Sequence, residues 1–185
     1  MAELHILGDI EGATGFKGHS FFCTFEVLAG SQWTLVEGSA SGSTHIMQNS
    51  HDGIVWSMPL DCHFAFSSAQ GWPRLALHIW EVDSYGRKDL AGYGVGFIPM
   101  PVADHSPQRL TVNTWKPTYW NPSFPVRMYL QLRQAVMGGN PVLRDDSLVH
   151  QNDQRFKLYT ISSGDVTVKL TVVSRNAAHV GLKFR

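Results

Sequence analysis

Three carboxylates gather around one short polar stretch: Glu81, Asp83 and Asp89. A hard cation such as calcium takes several oxygen ligands at once, so acidic side chains converging on a loop are the residue types that would hold it. Arg87 and Lys88 stand in the same loop and put positive charge beside those oxygens, which opposes cation capture. A calcium site would also need a second acidic loop, and Asp9 and Glu11 are poorly placed to supply it. The competing reading is a solvated hairpin end. On that reading Tyr85, Arg87 and Lys88, with Lys17 from an earlier loop, are candidate contacts to a partner or to an anionic membrane surface. A cation near such a surface contributes about 1 kcal/mol, so protein contacts would have to dominate recruitment.

Other chemistry is sparser. The nine histidines (5, 19, 45, 51, 63, 78, 105, 150 and 179) show neither the helical i, i+4 spacing nor the Cys–His spacing of common zinc sites. His63 adjoins Cys62, but neighbours on a strand point to opposite faces. Scattered surface or core histidines are the plainer account, and no cofactor is expected. The two cysteines, Cys23 and Cys62, form no CxxC pair and read as buried, reduced thiols. Gly92 to Gly96 (GYGVG) lacks the third glycine and the following helix that a dinucleotide fingerprint requires. The small-residue run Gly38-Ser39-Ala40-Ser41-Gly42 puts alanine where a nucleophile elbow needs serine. Nothing in the residues calls for an enzyme.

The carboxylate loop must be positioned by the stretch from Gly71 to Pro101. Leu75, Leu77 and Ile79 alternate with Ala76, His78, Trp80 and Val82, the period of a strand with two distinct faces. Asp83 to Asp89 is a turn, and Leu90 to Ile98 returns as a second strand. Its glycines at 92, 94 and 96 leave one face nearly bare, so something must pack closely over it. Further strands are expected at Glu3–Ile10 (Gly8 a bulge), Ser20–Leu28, Trp33–Glu37, Thr44–Met47, Ile54–Phe66, Leu110–Trp115, Arg155–Thr160 and Val166–Ser174. Pro59 marks Ile54–Phe66 as an edge strand or two shorter pieces. Ser123 to Met137 alternates Met128, Leu130 and Leu132 like a strand, but it carries an N-cap at one end and Gly138-Gly139 at the other, which favours one short helix. These elements predict an all-β fold, an antiparallel β-sandwich with one short helix.

The 185 residues suit one domain, with 43% apolar residues to build a core. The formal net charge of +0 gives no general attraction to nucleic acid. The N-terminus lacks the basic flank and apolar run of a signal peptide, and no segment approaches the ~18 apolar residues of a membrane helix. An intracellular, cytoplasmic protein is expected.

Several segments resemble the B9-domain family. They are the opening MAELHILGDIEGATGF, the block GWPRL…IWEVDSYGR…LAGYG, Thr114-Trp115-Lys116-Pro117, Gly138-Gly139-Asn140-Pro141 and Val168–Asn176. The resemblance covers residues 1–176, as a B9 domain; residues 177–185 form a C-terminal tail. It implies a C2-like sandwich, in which an acid two residues before Asp83 and the step of six to Asp89 echo a calcium-loop pattern. It also implies membership of the Meckel-syndrome complex at the ciliary transition zone, near the basal body. There a non-enzymatic scaffold subunit would help assemble the cilium and gate entry of its membrane proteins. The implied partners are sister B9-domain proteins and tectonic-type membrane proteins. The resemblance carries over no catalytic residues, and calcium-loop carboxylates are not a hallmark of the family. The alternative is an autonomous calcium- or phospholipid-binding module of the C2 type.

Overall fold

The computed structural model describes residues 1–102, 104–118, 125, 126, 128, 129, 132, 139–145, 147–150 and 158–182. Among these residues ten strands carry the fold: β1 (Ala2–Thr14), β2 (Ser20–Leu28), β3 (Trp33–Gly38), β4 (Ser41–Ser43), β5 (Met47–Gln48), β6 (Ile54–Phe66), β7 (Arg74–Val82), β8 (Lys88–Phe97), β9 (Gln108–Pro117) and β10 (Thr160–Arg175). Every strand pair among the described residues is antiparallel, and the junction of β8 and β9 is the short one, with only Tyr93–Trp115 and Gly94–Thr114 in register. The path runs β3-β6-β1-β10-β9-β8-β7-β2-β4, with β5 also on β2.

That short junction is where the sheet folds over. Leu4, Ile6 and Ile10 of β1, Val166, Val168 and Leu170 of β10 and Leu75, Leu77 and Ile79 of β7 are all fully buried and share one core. Strands at opposite ends of the path can share a core only if the sheet closes into two layers. Cross-layer bonds agree: Trp56 Nε1 of β6 donates to Phe21 O of β2 at 3.3 Å, and Trp33 Nε1 of β3 donates to Gln70 O at 3.0 Å. The expected alternation in β1, β7 and β10 is therefore the alternation that builds the core.

The bare glycine face is covered as anticipated. A Cβ on Gly94 would stand 2.9 Å from Val112 Cγ1, and one on Gly96 would stand 2.8 Å from Val112 Cγ2. The glycines thus let β9 side chains lie directly on β8, the close approach that the corner needs.

Several boundaries differ from expectation, each for a physical reason. The bulge in β1 falls at Glu11, where the register skips from Ile10 to Gly12, while Gly8 pairs regularly with Leu170 and Leu60. Gly8 instead allows close backbone approach: a Cβ there would lie 2.0 Å from Lys169 O. β6 runs unbroken through Pro59, because β3 pairs only with Cys62 to Phe66 and leaves the proline on an unpaired edge. The short edge strand predicted at Thr44–Met47 is displaced to Met47–Gln48, and the small-residue run contributes β4. One strand, Thr160–Arg175, replaces the two predicted near the end, with its irregularity between Ser162 and Asp165; positions 155–157 lie outside the described residues.

In the stretch read as a helix, Pro125, Val126, Met128, Tyr129 and Leu132 are helical, and its other positions lie outside the described residues. A four-residue helix, Ser147–His150, was not foreseen. After β10, Ala177–Val180 forms a 3-10 turn, and Ala177, Val180 and Leu182 pack on the main core. Cys23 and Cys62 are both buried and unpaired, as expected.

Candidate functional site

The sandwich gathers its chemistry-bearing loops at one end. β1, β7 and β9 finish there, and β2, β6, β8 and β10 begin there, as the pairs Ala13–Ile54, Thr14–Asp165, Ser20–Val82, Val82–Lys88 and Thr160–Pro117 require. Glu81 and Asp89 are cross-strand partners on β7 and β8, and Asp83 lies in the turn between them.

Each carboxylate has a distinct local role. Asp83 organises its own turn: Oδ1 accepts from the backbone N–H groups of Tyr85 (2.9 Å) and Arg87 (2.8 Å), and Oδ2 accepts from Arg87 Nε (2.7 Å). These donors favour the ionised form and hold its carboxyl below the usual range. Gly86 takes φ 78°, a left-handed conformation that suits glycine at the tip. Asp89 instead clamps a distant segment. Its Oδ1 accepts from Asn140 N (2.7 Å), and its Oδ2 accepts from Asn140 Nδ2 (3.0 Å) and Gly139 N (3.3 Å). Asn140 Nδ2 also donates to Leu90 O at 2.8 Å.

Glu81 is the electrostatically loaded member. Burial raises its carboxyl above the ordinary value, and the nearby Asp89 charge raises it further, while Lys116 and His19 oppose the shift. It lines a cleft of about 380 Å³ with Lys17, Lys116, Asn140, Ser162 and Ser163. Ser163 Oγ donates to Ala91 O at 2.7 Å, so its hydroxyl is already engaged.

The predicted contact residues divide between two places. Tyr85 stands 84% exposed at the hairpin tip, with the Arg87 guanidinium 5.6 Å from its ring centre. Lys88 Nζ lies 5.0 Å from the ring centre of Phe22. Lys17 is across the loop end, in the Glu81 cleft. Asp9 and Glu11 belong to β1 rather than to a loop. Asp9 pairs with Lys169 and Pro59 in register, and Glu11 meets Arg109 at 3.0 Å.

Among the described residues, Glu81, Asp83 and Asp89 do not form a triad with oxygens all within 4.8 Å of one another. A different group does: Glu3, His5 and His63. Sequence spacing missed it because the two histidines meet only through the β1–β6 register. The available signal was outward position: both stand on the polar side of strands whose other side is apolar.

Beside the loop end lies a small second core. Leu90, Tyr93, Trp115 and Val149 pack together, flanked by Trp80, Val95, Leu143 and Leu158. Tyr93 is 1% exposed, and its hydroxyl accepts from Leu143 N at 3.2 Å. Asp89 and Tyr93 together fasten the segment after Gly139 over β8. The outer face of β8 is thus partly covered by later chain.

Among the described residues the sheet is open at its two lateral edges, β3 and β4. β3 pairs on one side among the described residues, with β6, and it exposes Leu35 (40%) and Val36 (58%). Among the described residues no helix is long and apolar enough to cross a membrane.

The family of ciliary basal body-associated B9 proteins (B9-C2) matches residues 4–173. B9 domain-containing protein 2 of Xenopus laevis is 37% identical over 185 residues, covering 99% of each chain. The human protein of that name is 35% identical, with the same coverage of both chains. Among solved structures, the C2A domain of a plant extended synaptotagmin 1 is 11% identical and aligns over 92% of this chain and 93% of its own, with a TM-score of 0.48.

Proposed function

Since the chain belongs to the family of ciliary basal body-associated B9 proteins, we propose that it is a non-enzymatic interaction subunit at the base of the cilium. In this reading it serves the transition-zone assembly, the Meckel-syndrome complex, and supports cilium formation and the gating of ciliary membrane proteins. It works by contact with sister B9-domain proteins and with tectonic-type membrane proteins, in the cytoplasm beside the membrane.

The observation that carries the reading is the open β3 edge. No described strand pairs with its outer side, and Leu35 and Val36 lie exposed along it. An exposed apolar edge is a template for strand pairing and is normally blunted by lysine, proline, a bulge or a covering element. β3 has a bulge at Val36, where the register skips from Leu35 to Glu37, so a partner strand must follow that bend. A partner strand added there satisfies main-chain groups and buries the two side chains. A stable contact would extend over roughly 800 Å² per partner, so neighbouring faces must join in.

The alternative, an autonomous calcium- or phospholipid-binding module, has less support. Asp83 and Asp89 already accept hydrogen bonds from Arg87 and Asn140, and a cation would have to displace these donors.

Tagged chain expressed in ciliated cells tests the proposal. Wild type should co-purify with sister B9 proteins, and Leu35→Lys/Val36→Lys should lose them while remaining folded by circular dichroism. Retention of every partner by the folded double variant would refute the edge as the contact. A melting-point rise with calcium, or pelleting of the isolated chain with anionic vesicles, would favour the alternative.

A further inference from the structure

We propose that Glu3, His5 and His63 form a site for one zinc-type divalent cation on the outer face of β1 and β6. The proposal rests on the juxtaposition of these side chains and is independent of the protein's role at the cilium.

The sheet builds the site. His5 and His63 are direct cross-strand partners, and Glu3 lies two residues before His5, on the same face. The donor atoms of all three lie within 4.8 Å of one another. Tetrahedral zinc with ligand bonds near 2.1 Å sets its donors about 3.4 Å apart. Glu3 Oε2 and His63 Nε2, at 3.8 Å, are close to that spacing. Two imidazoles and one carboxylate are a recurrent zinc set that leaves a fourth position open.

A second observation points to a ligand. His63 Nε2 is buried, and no group of the described residues hydrogen-bonds to it. Glu3 is near but beyond hydrogen-bond reach, so the desolvated nitrogen lacks its usual compensation. A metal ion would supply it.

The imidazoles lie 3.8 Å apart and within 16° of parallel. Their in-plane lone pairs therefore run side by side, and joint coordination requires one ring to turn. His5 is only half-buried, which leaves it room to do so. Around the triad, β3 contributes Glu37, opposite His63, and β10 contributes Arg175, 4.0 Å from Glu3. The Glu37 charge favours a cation and the Arg175 charge opposes it. The two cysteines do not compete from the core, where burial pushes Cys23 to about 12 and Cys62 to about 11.

Purified full-length chain, stripped with EDTA, is titrated with zinc sulfate by calorimetry and by thermal melting. One ion per chain should bind, with a melting-point rise that EDTA reverses. His5→Gln and His63→Gln should each weaken binding at least tenfold, and Glu3→Gln by a smaller factor. Imidazole NMR signals of wild-type His5 and His63 should shift on zinc addition, which tests the site even where a variant fails to fold. Absence of saturable zinc binding would overturn the proposal. So would shifts confined to other histidines, or undiminished binding in folded His5→Gln/His63→Gln.

Discussion

At the scale of single residues, the acidic loop shows how similar side chains acquire different duties. Asp83 shapes a solvent-facing turn, Asp89 ties a distant segment to β8, and Glu81 is pressed into a cleft. Asp89→Ala should therefore cost more than Asp83→Ala. Losing charged hydrogen bonds to Asn140 and Gly139 is worth about 1–3 kcal/mol, read as a fall in the urea midpoint. The same variant should open the segment after Gly139 to limited proteolysis, whereas Asp83→Ala should leave it protected. Glu81 makes a pH prediction. Its folded value is raised, so the fold prefers the protonated carboxyl; that contribution is complete below the ordinary value of 4.5 and is lost as pH rises through the elevated folded value. Glu81→Gln keeps a neutral group at every pH. It should melt above wild type at pH 7, and the gap should close below the ordinary value; a constant gap would contradict the assignment.

At the scale of elements, the alternating strands were legible because each has one buried and one polar face. Leu75, Leu77 and Ile79 in β7 and Val166, Val168, Leu170 and Val172 in β10 are the inward sets expected from their period. What was not legible depends on partners distant in sequence. The β1 bulge is visible only where two neighbouring strands shift register together at Glu11. Continuity of β6 through Pro59 depends on how far β3 extends along it. The carboxylates of the loop could be found from spacing, but their separate hydrogen bonds could not, because Asn140 reaches Asp89 from another part of the chain. His5 and His63 met by the same long-range logic. Two substitutions test the packing of these elements. Leu77→Ala, in the centre of the core, should destabilise by about 2–5 kcal/mol in chemical denaturation. Gly12→Ala should be similarly severe despite adding one methyl, because its Cβ would stand 2.0 Å from Ile54 O in the backbone. A near-neutral Gly12→Ala would mean that β1 and β6 are not packed as described.

At the scale of the whole molecule, one continuous antiparallel sheet closes on its own core and leaves two lateral edges and a loop-bearing end. The interior therefore serves stability, and the surface is where specificity must reside. Membership of the B9 family, whose description is association with the ciliary basal body, accords with a body that acts by contact. The measurement that tests this most directly is a calorimetric titration of the purified chain with a purified sister B9-domain protein. The account predicts saturable binding that Leu35→Lys/Val36→Lys weakens at least tenfold without unfolding the chain. Absence of binding to any sister B9 protein, or equal affinity in the folded edge variant, would contradict it.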